Sequence, residues 1–331
     1  MKIIGADQRL NEPRGVKIAL IGSTGVGKTS QLGTLDPARV LFLDSEAGDL
    51  SVQDVPVDTI RIDDWATARN IAVRIGGPNP SFAPTSCYSE AHFKAVGGTL
   101  DTNRVLFVDG EAGDLSVQDV AVDTVRIDDW ATARNVAVRI GGPNPSFAPT
   151  SCYSEAHYKA VGGALENLDR YNVIFVDSIT AISRLSFRWA EQQPEARSER
   201  TGAKDLRGAY GLHGREMLMW LHQLQHVRSK HVIFVGILEK VSDDFGRFVE
   251  YRVQMEGAKV PREIGAVVDE VVVMEFLDFG KGPVRGFVCR PDNPWKYPAK
   301  DRSGKLDQTE PPHLGKLIAK ILNRGNSTPE T

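Results

Sequence analysis

Cysteine is scarce: Cys87, Cys152 and Cys289 are the only three, with no CxxC pair and no Cys/His cluster. That excludes a disulfide framework and a structural zinc site, and a reducing cytoplasm fits best. No apolar run approaches the roughly 20 residues that span a bilayer, so no membrane partner is expected. The opening stretch MKIIGADQRLNEPRG has no hydrophobic h-region, so no secretory signal is expected. Neither charge sign dominates: 40 basic residues face 43 acidic ones, a net charge of −3. A histone-like polycation is excluded, and any nucleic-acid contact must come from a local patch. With 18 Pro, 31 Gly and 41% hydrophobic residues, the chain is neither a coiled coil nor wholly disordered. Its 331 residues suffice for a large core in one domain or two.

What is there first of all is a repeat. Residues 33–97 and 98–162 align without gaps at an offset of 65 and differ at 8 positions. Solenoids need three or more units with diverged caps. Two near-identical copies point instead to a recent tandem duplication or an artefact of sequence assembly. Each copy carries 5 Lys/Arg and 9 Asp/Glu, so the single-copy chain of 266 residues would carry about +1 instead of −3.

Strands and helices alternate along the chain. VKIALI (16–21), RVLFLD (39–44), DTIRI (58–62), NVIFVDS (172–178) and HVIFVGIL (231–238) read as strands. A helix is expected from Lys28 to about Gly33. Another is N-capped by Asp63 or Asp64, with the stripe Trp65, Ala68, Ile71, Ala72 and Ile75. A short helix follows at 89–97, and the second copy repeats this series. Residues 180–191, 211–227 and 313–322 read as helices, 241–263 as a long irregular loop or hairpin. EVVVMEFL (270–277) and RGFVCR (285–290) read as an edge hairpin. The alternation implies an α/β fold with a mostly parallel sheet.

GSTGVGKTS at 22–30 is a full match to the phosphate-binding loop G-x-x-x-x-G-K-[ST], set between an apolar strand and a helix. Gly22, Ser23, Thr24, Gly25, Val26, Gly27, Lys28, Thr29 and Ser30 make up the candidate nucleotide cradle. The glycines let backbone N–H groups turn toward phosphates. Lys28 can meet the β- and γ-phosphates, and the Thr29 hydroxyl can hold Mg²⁺. VIFVD ends in Asp177, the candidate Walker B acid for the same ion; the competing role is a helix cap. Glu46 and Glu111 each follow a copy of RVLF(L/V)D, at the ligand edge of an open α/β sheet, where a carboxylate can activate water. No NKxD-like guanine signature occurs, which favours ATP.

These motifs resemble the RecA-like branch of P-loop ATPases. GVKIALIGSTGVGKTS, EAGDLSVQD, RIGGPNP, FVDSIT, AEQQPEARSERTG, RGAYGLHGREM, VIFVGILEK and NPWKYPAKDRSGKLD resemble more closely the phage and prophage AAA-type ATP-binding proteins related to single-strand-annealing recombination proteins. The resemblance covers residues 14–323 apart from one surplus copy. It implies a single RecA-like domain over 1–323, ATP with Mg²⁺, and homo-oligomers; the residues at 324–331, which include GNSTPET, themselves read as a frayed tail. The resemblance also implies phage recombination or replication partners in the cytoplasm of a bacterial host. By the same resemblance, the water-activating glutamate is Glu46 or Glu111, and about 184–210 and 241–263 contact DNA.

The residues themselves support a DNA patch in part. Nine bases, among them Arg197, Arg200, Lys204 and Arg207, face five acids over 181–232, with Phe187, Trp189 and Tyr210 interleaved. Lys240, Arg247, Arg252, Lys259 and Arg262 add a second basic stretch; Glu239 and Lys240 are candidate phosphate sensors. The leading expectation is an ATPase coupled to single-stranded DNA. The alternatives are an annealing protein switched by ATP with negligible turnover, a packaging or remodelling motor, and a small-molecule kinase. The sheet has one slot beside the Walker B strand, and the two copies compete for it.

Overall fold

A computed structural model of the chain describes residues 14–36, 39–44, 123–127, 129–198, 200–278, 280 and 282–322. Its sheet is built from β1 (Lys17–Gly22), β2 (Val40–Asp44), β3 (Asp123–Arg126), β4 (Val173–Asp177), β5 (His231–Ser242), β7 (Glu270–Asp278), β8 (Pro283–Val288) and β10 (Thr309–Glu310). The order across it is β10-β8-β7-β1-β5-β4-β2-β3; β6 (Phe248–Val253) pairs with β5, and β9 (Lys300–Asp301) with β7. From β7 to β3 every neighbouring pair is parallel. The β7–β8, β8–β10 and β5–β6 pairs are antiparallel. This is the mostly parallel α/β architecture that the alternation of strands and helices implied.

Both faces of the sheet are covered, which is why its strands read as continuous apolar runs. Ala19, Ile21, Ile174, Val176, Val232 and Phe234 point to one face. There they meet α1 (Trp130–Gly141), α3 (Ile179–Ala190), α4 (Leu206–Gln225) and α5 (Lys259–Val267). Ile18, Leu20, Phe175, Ile233 and Val235 point to the other, against Leu32 and the α6 (Leu314–Leu322) residues Leu314, Leu317 and Ile318.

α1 follows its expected pattern in the second copy. Asp129 caps it by accepting from Thr132 N at 2.7 Å, and Trp130, Ala133, Val136, Ala137 and Ile140 are all buried. α2 (Glu155–Ala160) is the expected short helix. The first copy's counterparts of β3, α1 and α2 lie outside the described residues. The slot beside β4 is filled by β2, from the first copy, with Asp44 level with Asp177. β3, from the second copy, pairs with β2 in turn. The sheet is thus a composite of the two copies.

One expectation needs correction, and one pair of alternatives is decided. The helix after the phosphate loop is only a 3-10 turn, Thr29–Thr34, because Gly33 and the Asp36-Pro37 pair stop it and its N-cap has no side-chain hydrogen bond. Of the two forms expected for residues 241–263, the hairpin is the one present, and a helix follows it. These residues continue β5, return as β6, and enter α5, whose Val260, Ile264 and Val267 are buried.

A buried polar seam ties the β5–β6 hairpin to the start of α3. Thr180 Oγ1 donates to Gln254 O at 2.9 Å, and Glu256 N donates to Ser183 Oγ at 2.8 Å. His213 spans the seam, with Nε2 3.0 Å from Glu256 O and Nδ1 3.0 Å from Ser186 Oγ. A carbonyl can only accept, so Nε2 carries the proton and Nδ1 accepts from the serine. Burial lowers the His213 pKa to about 4. The unfolded chain therefore binds the extra proton first, and stability is lost as pH falls from about 6.5 toward 4, by on the order of 3 kcal/mol. His231 acts with the same sign, while Glu270, pushed up to about 7 by burial, acts with the opposite one. Urea unfolding of His213→Gln beside the native chain cancels both, and the variant is expected to lose less stability between pH 6.5 and 4.

Candidate functional site

Residues 22–30 run from the last residue of β1 through a loop into the 3-10 turn, at the carboxyl end of β1, the ligand edge of such sheets. Gly22 has no room for a side chain: a β-carbon would stand 2.2 Å from Met274 O. Gly27 has φ +97°, a conformation that L side chains rarely adopt. Val26 is buried and anchors the loop, leaving Ser23, Thr24 and Gly25 exposed. Ser30 lies half-buried in the 3-10 turn. Lys28 folds back over the loop, its Nζ donating to Gly22 O at 3.0 Å and Ser23 O at 2.9 Å.

Asp177 ends β4, and β5 alone separates β4 from β1. Thr29 Oγ1 donates to Asp177 Oδ2 at 2.5 Å. Loop and acid, 148 residues apart, are thus in contact. Asp177 is not the cap of α3; Ser178 is, accepting from Ala181 N at 3.2 Å. A hydroxyl and a carboxylate side by side are hard oxygen donors, the set Mg²⁺ prefers. Among the described residues no three His, Cys, Asp or Glu cluster together. An ion here would keep several waters, as Mg²⁺ does. Glu46 and Glu111 lie outside the described residues.

Sequence reasoning missed two neighbours of the loop. Glu275 on β7 accepts from Ser23 N at 2.5 Å, and Arg285 on β8 lies beside Gly27. Both come from strands some 250 residues downstream, and no local pattern marks them.

Arg197, Arg200 and Lys204, on the segment between α3 and α4, and Arg207, in the first turn of α4, are all exposed. The backbones of Arg197 and Lys204 bridge, and Lys204 pairs with Glu191. Trp189 packs against the core with the Arg134 guanidinium 4.7 Å over its ring, so it is no stacking platform. Tyr210 is 42% exposed and stacks on Phe187 at 4.5 Å. The β5–β6 hairpin carries a second aromatic group. Phe248 lies 4.9 Å from Tyr251 and Tyr251 lies 5.0 Å from Tyr297, centroid to centroid. Lys240 and Lys296 both sit 5.9 Å from the Phe248 ring. At the tip, Phe245 is 80% exposed beneath Arg247. Glu239 pairs with Arg252 at 2.8 Å, so this acid and Lys240 are engaged within the hairpin.

No helix among the described residues is long and apolar enough to cross a membrane. A family model described as an AAA domain matches residues 14–303. Among solved structures, a RadB recombinase is similar at a TM-score of 0.33 and 14% identity, over 83% of this chain and 80% of that one. A KaiC-like protein of the hyperthermophilic archaeon Pyrococcus horikoshii OT3 is similar at 0.27 and 12% identity, over 84% of this chain and 79% of that one. No curated protein matches the sequence.

Proposed function

The chain belongs to the AAA domain family, and on that premise we propose that it is an ATP hydrolase whose cycle is coupled to single-stranded DNA. The observation that carries the ATP part is the Thr29–Asp177 contact at the mouth of the phosphate loop. In this reading, the backbone of Gly22 to Ser30 cradles the phosphates and Lys28 neutralises them. Thr29 and Asp177 hold Mg²⁺, which supplies charge neutralisation at the β- and γ-phosphates. Glu46 or Glu111 orients the attacking water.

The DNA part is supported by the chemistry of two exposed segments. Arg197, Arg200, Lys204 and Arg207 offer charge to a backbone, and Tyr210 with the β5–β6 aromatics offers faces to bases. Annealing or recombination in a phage, with homo-oligomers as the working form, rests on the sequence resemblance.

The test is ATP turnover with and without single-stranded DNA. Stimulation by the strand is expected. Equal turnover in both would remove the coupling, and tight nucleotide binding without turnover would favour an ATP-switched annealing protein. Changing Arg197, Arg200, Lys204 and Arg207 to glutamine is expected to weaken strand binding. The slope of log affinity against log salt should shrink by roughly 0.7 per lost contact. An unchanged slope would return this segment to an ordinary solvated surface.

A further inference from the structure

Arg285 stands where a second cation could meet the nucleotide. A β-carbon placed on Gly27 would lie 3.4 Å from its Nη1 and 3.5 Å from its Cζ, so the guanidinium touches the phosphate loop itself. The strand register sets Arg285 opposite Phe276 on β7, and the guanidinium lies 5.5 Å from that ring's centroid. Phe276 is 53% exposed, so the pair faces solvent beside the loop. Among the described residues Arg285 has no acid partner, and the ring fixes its direction without neutralising it.

The sheet order sets which part of a nucleotide lies there. Asp177 and Thr29 meet on the β4 side of β1, whereas Arg285 lies on the β8 side. A nucleotide with its metal-bound terminal phosphates at Thr29 and Asp177 therefore runs its nucleoside end toward β7 and β8. We propose that Arg285, steadied by Phe276, binds the α- and β-phosphates of the nucleotide, an assignment that rests on the ATP-binding reading above. A planar guanidinium gives phosphate oxygens paired, charge-assisted hydrogen bonds that a lysine cannot copy.

The experiment is titration of ATP and of ADP into the native chain, Arg285→Gln, Arg285→Lys and Phe276→Ala, with Lys28→Ala as control. Arg285→Gln is expected to weaken ATP and ADP alike, by about tenfold. Arg285→Lys should recover part of the loss, and Phe276→Ala should show a smaller one. Unchanged affinities would overturn the assignment and leave the phosphate-loop reading standing. Loss for ATP with ADP untouched would also overturn it, because the residue would then address the γ-phosphate. A native chain that binds neither nucleotide, with Lys28→Ala no different, would defeat the ATP-binding reading and this assignment with it. Should Arg285→Gln fail to fold, the native chain decides. MgADP is expected to protect Arg285 from phenylglyoxal in peptide mass spectra, and equal modification with and without MgADP would overturn the assignment.

Discussion

Lys28→Ala is expected to lower ATP affinity on the order of tenfold or more, and to abolish turnover, in a protein that still folds. The lysine is the cation of the loop, and its Nζ lies 3.0 Å and 2.9 Å from Gly22 O and Ser23 O. Those two carbonyls hold the ammonium over the cradle, so it moves only a short way to reach a phosphate. Alanine removes the one charged side chain of residues 22–30, which otherwise offer backbone N–H groups and neutral hydroxyls. The fold does not depend on it, because the strands beneath are sealed on both faces by Ile18, Leu20, Ala19 and Ile21 and their neighbours. The cost to the unliganded protein includes these two hydrogen bonds, about 1 kcal/mol each. Lys28→Arg is no safe replacement, since a planar fork does not fit where a compact ammonium sits. Equilibrium titration with a fluorescent ATP analogue, beside circular dichroism, measures both halves. Native affinity in a folded Lys28→Ala protein would remove the phosphate-loop reading.

The central fold was legible because a doubly covered strand must be apolar throughout. VKIALI, NVIFVD and HVIFVGIL announce themselves in that way, and the stripe Trp130, Ala133, Val136, Ala137 and Ile140 announces α1. The phosphate loop was legible because its chemistry is written in consecutive residues. α5 was hidden by Pro261 and Gly265, although Val260, Ile264 and Val267 keep a helical spacing; a proline in the first turn is compatible with a helix. Glu275 and Arg285 reach the loop only through the pairing of β7 with β1 and of β8 with β7, which local sequence does not encode. Which repeat supplies which strand was illegible for a different reason. RVLFLD and RVLFVD carry the same apolar pattern, so their burial energies in one slot are nearly equal.

Glu46→Gln is expected to lower kcat at least about a hundredfold, the usual loss when a general base is removed, and Glu111→Gln less than about twofold. The asymmetry follows from the composite sheet. β2 belongs to the first copy and ends at Asp44, level with Asp177, so in sequence Glu46 comes two residues after the strand that pairs with that of Asp177. Glu111 belongs to RVLFVD of the second copy, whose residues 104–109 lie outside the described residues. Deleting residues 46–110 removes no described residue and leaves a chain of 266. Thirteen residues then join Asp44 to Asp123, enough for a parallel crossover, which needs about a dozen. The same cut puts Glu111 directly after Ser45, where Glu46 stood. The shortened protein is therefore expected to melt within a few degrees of the parent and to turn over ATP. In it, Glu111→Gln becomes the inactivating change. The readouts are steady-state hydrolysis and thermal unfolding of five proteins: parent, two single variants, deletion, and deletion with Glu111→Gln. Inactivation by both single substitutions in the parent, or a deletion that does not fold, would mean that the second RVLFVD is part of the working sheet and the one-slot argument is wrong.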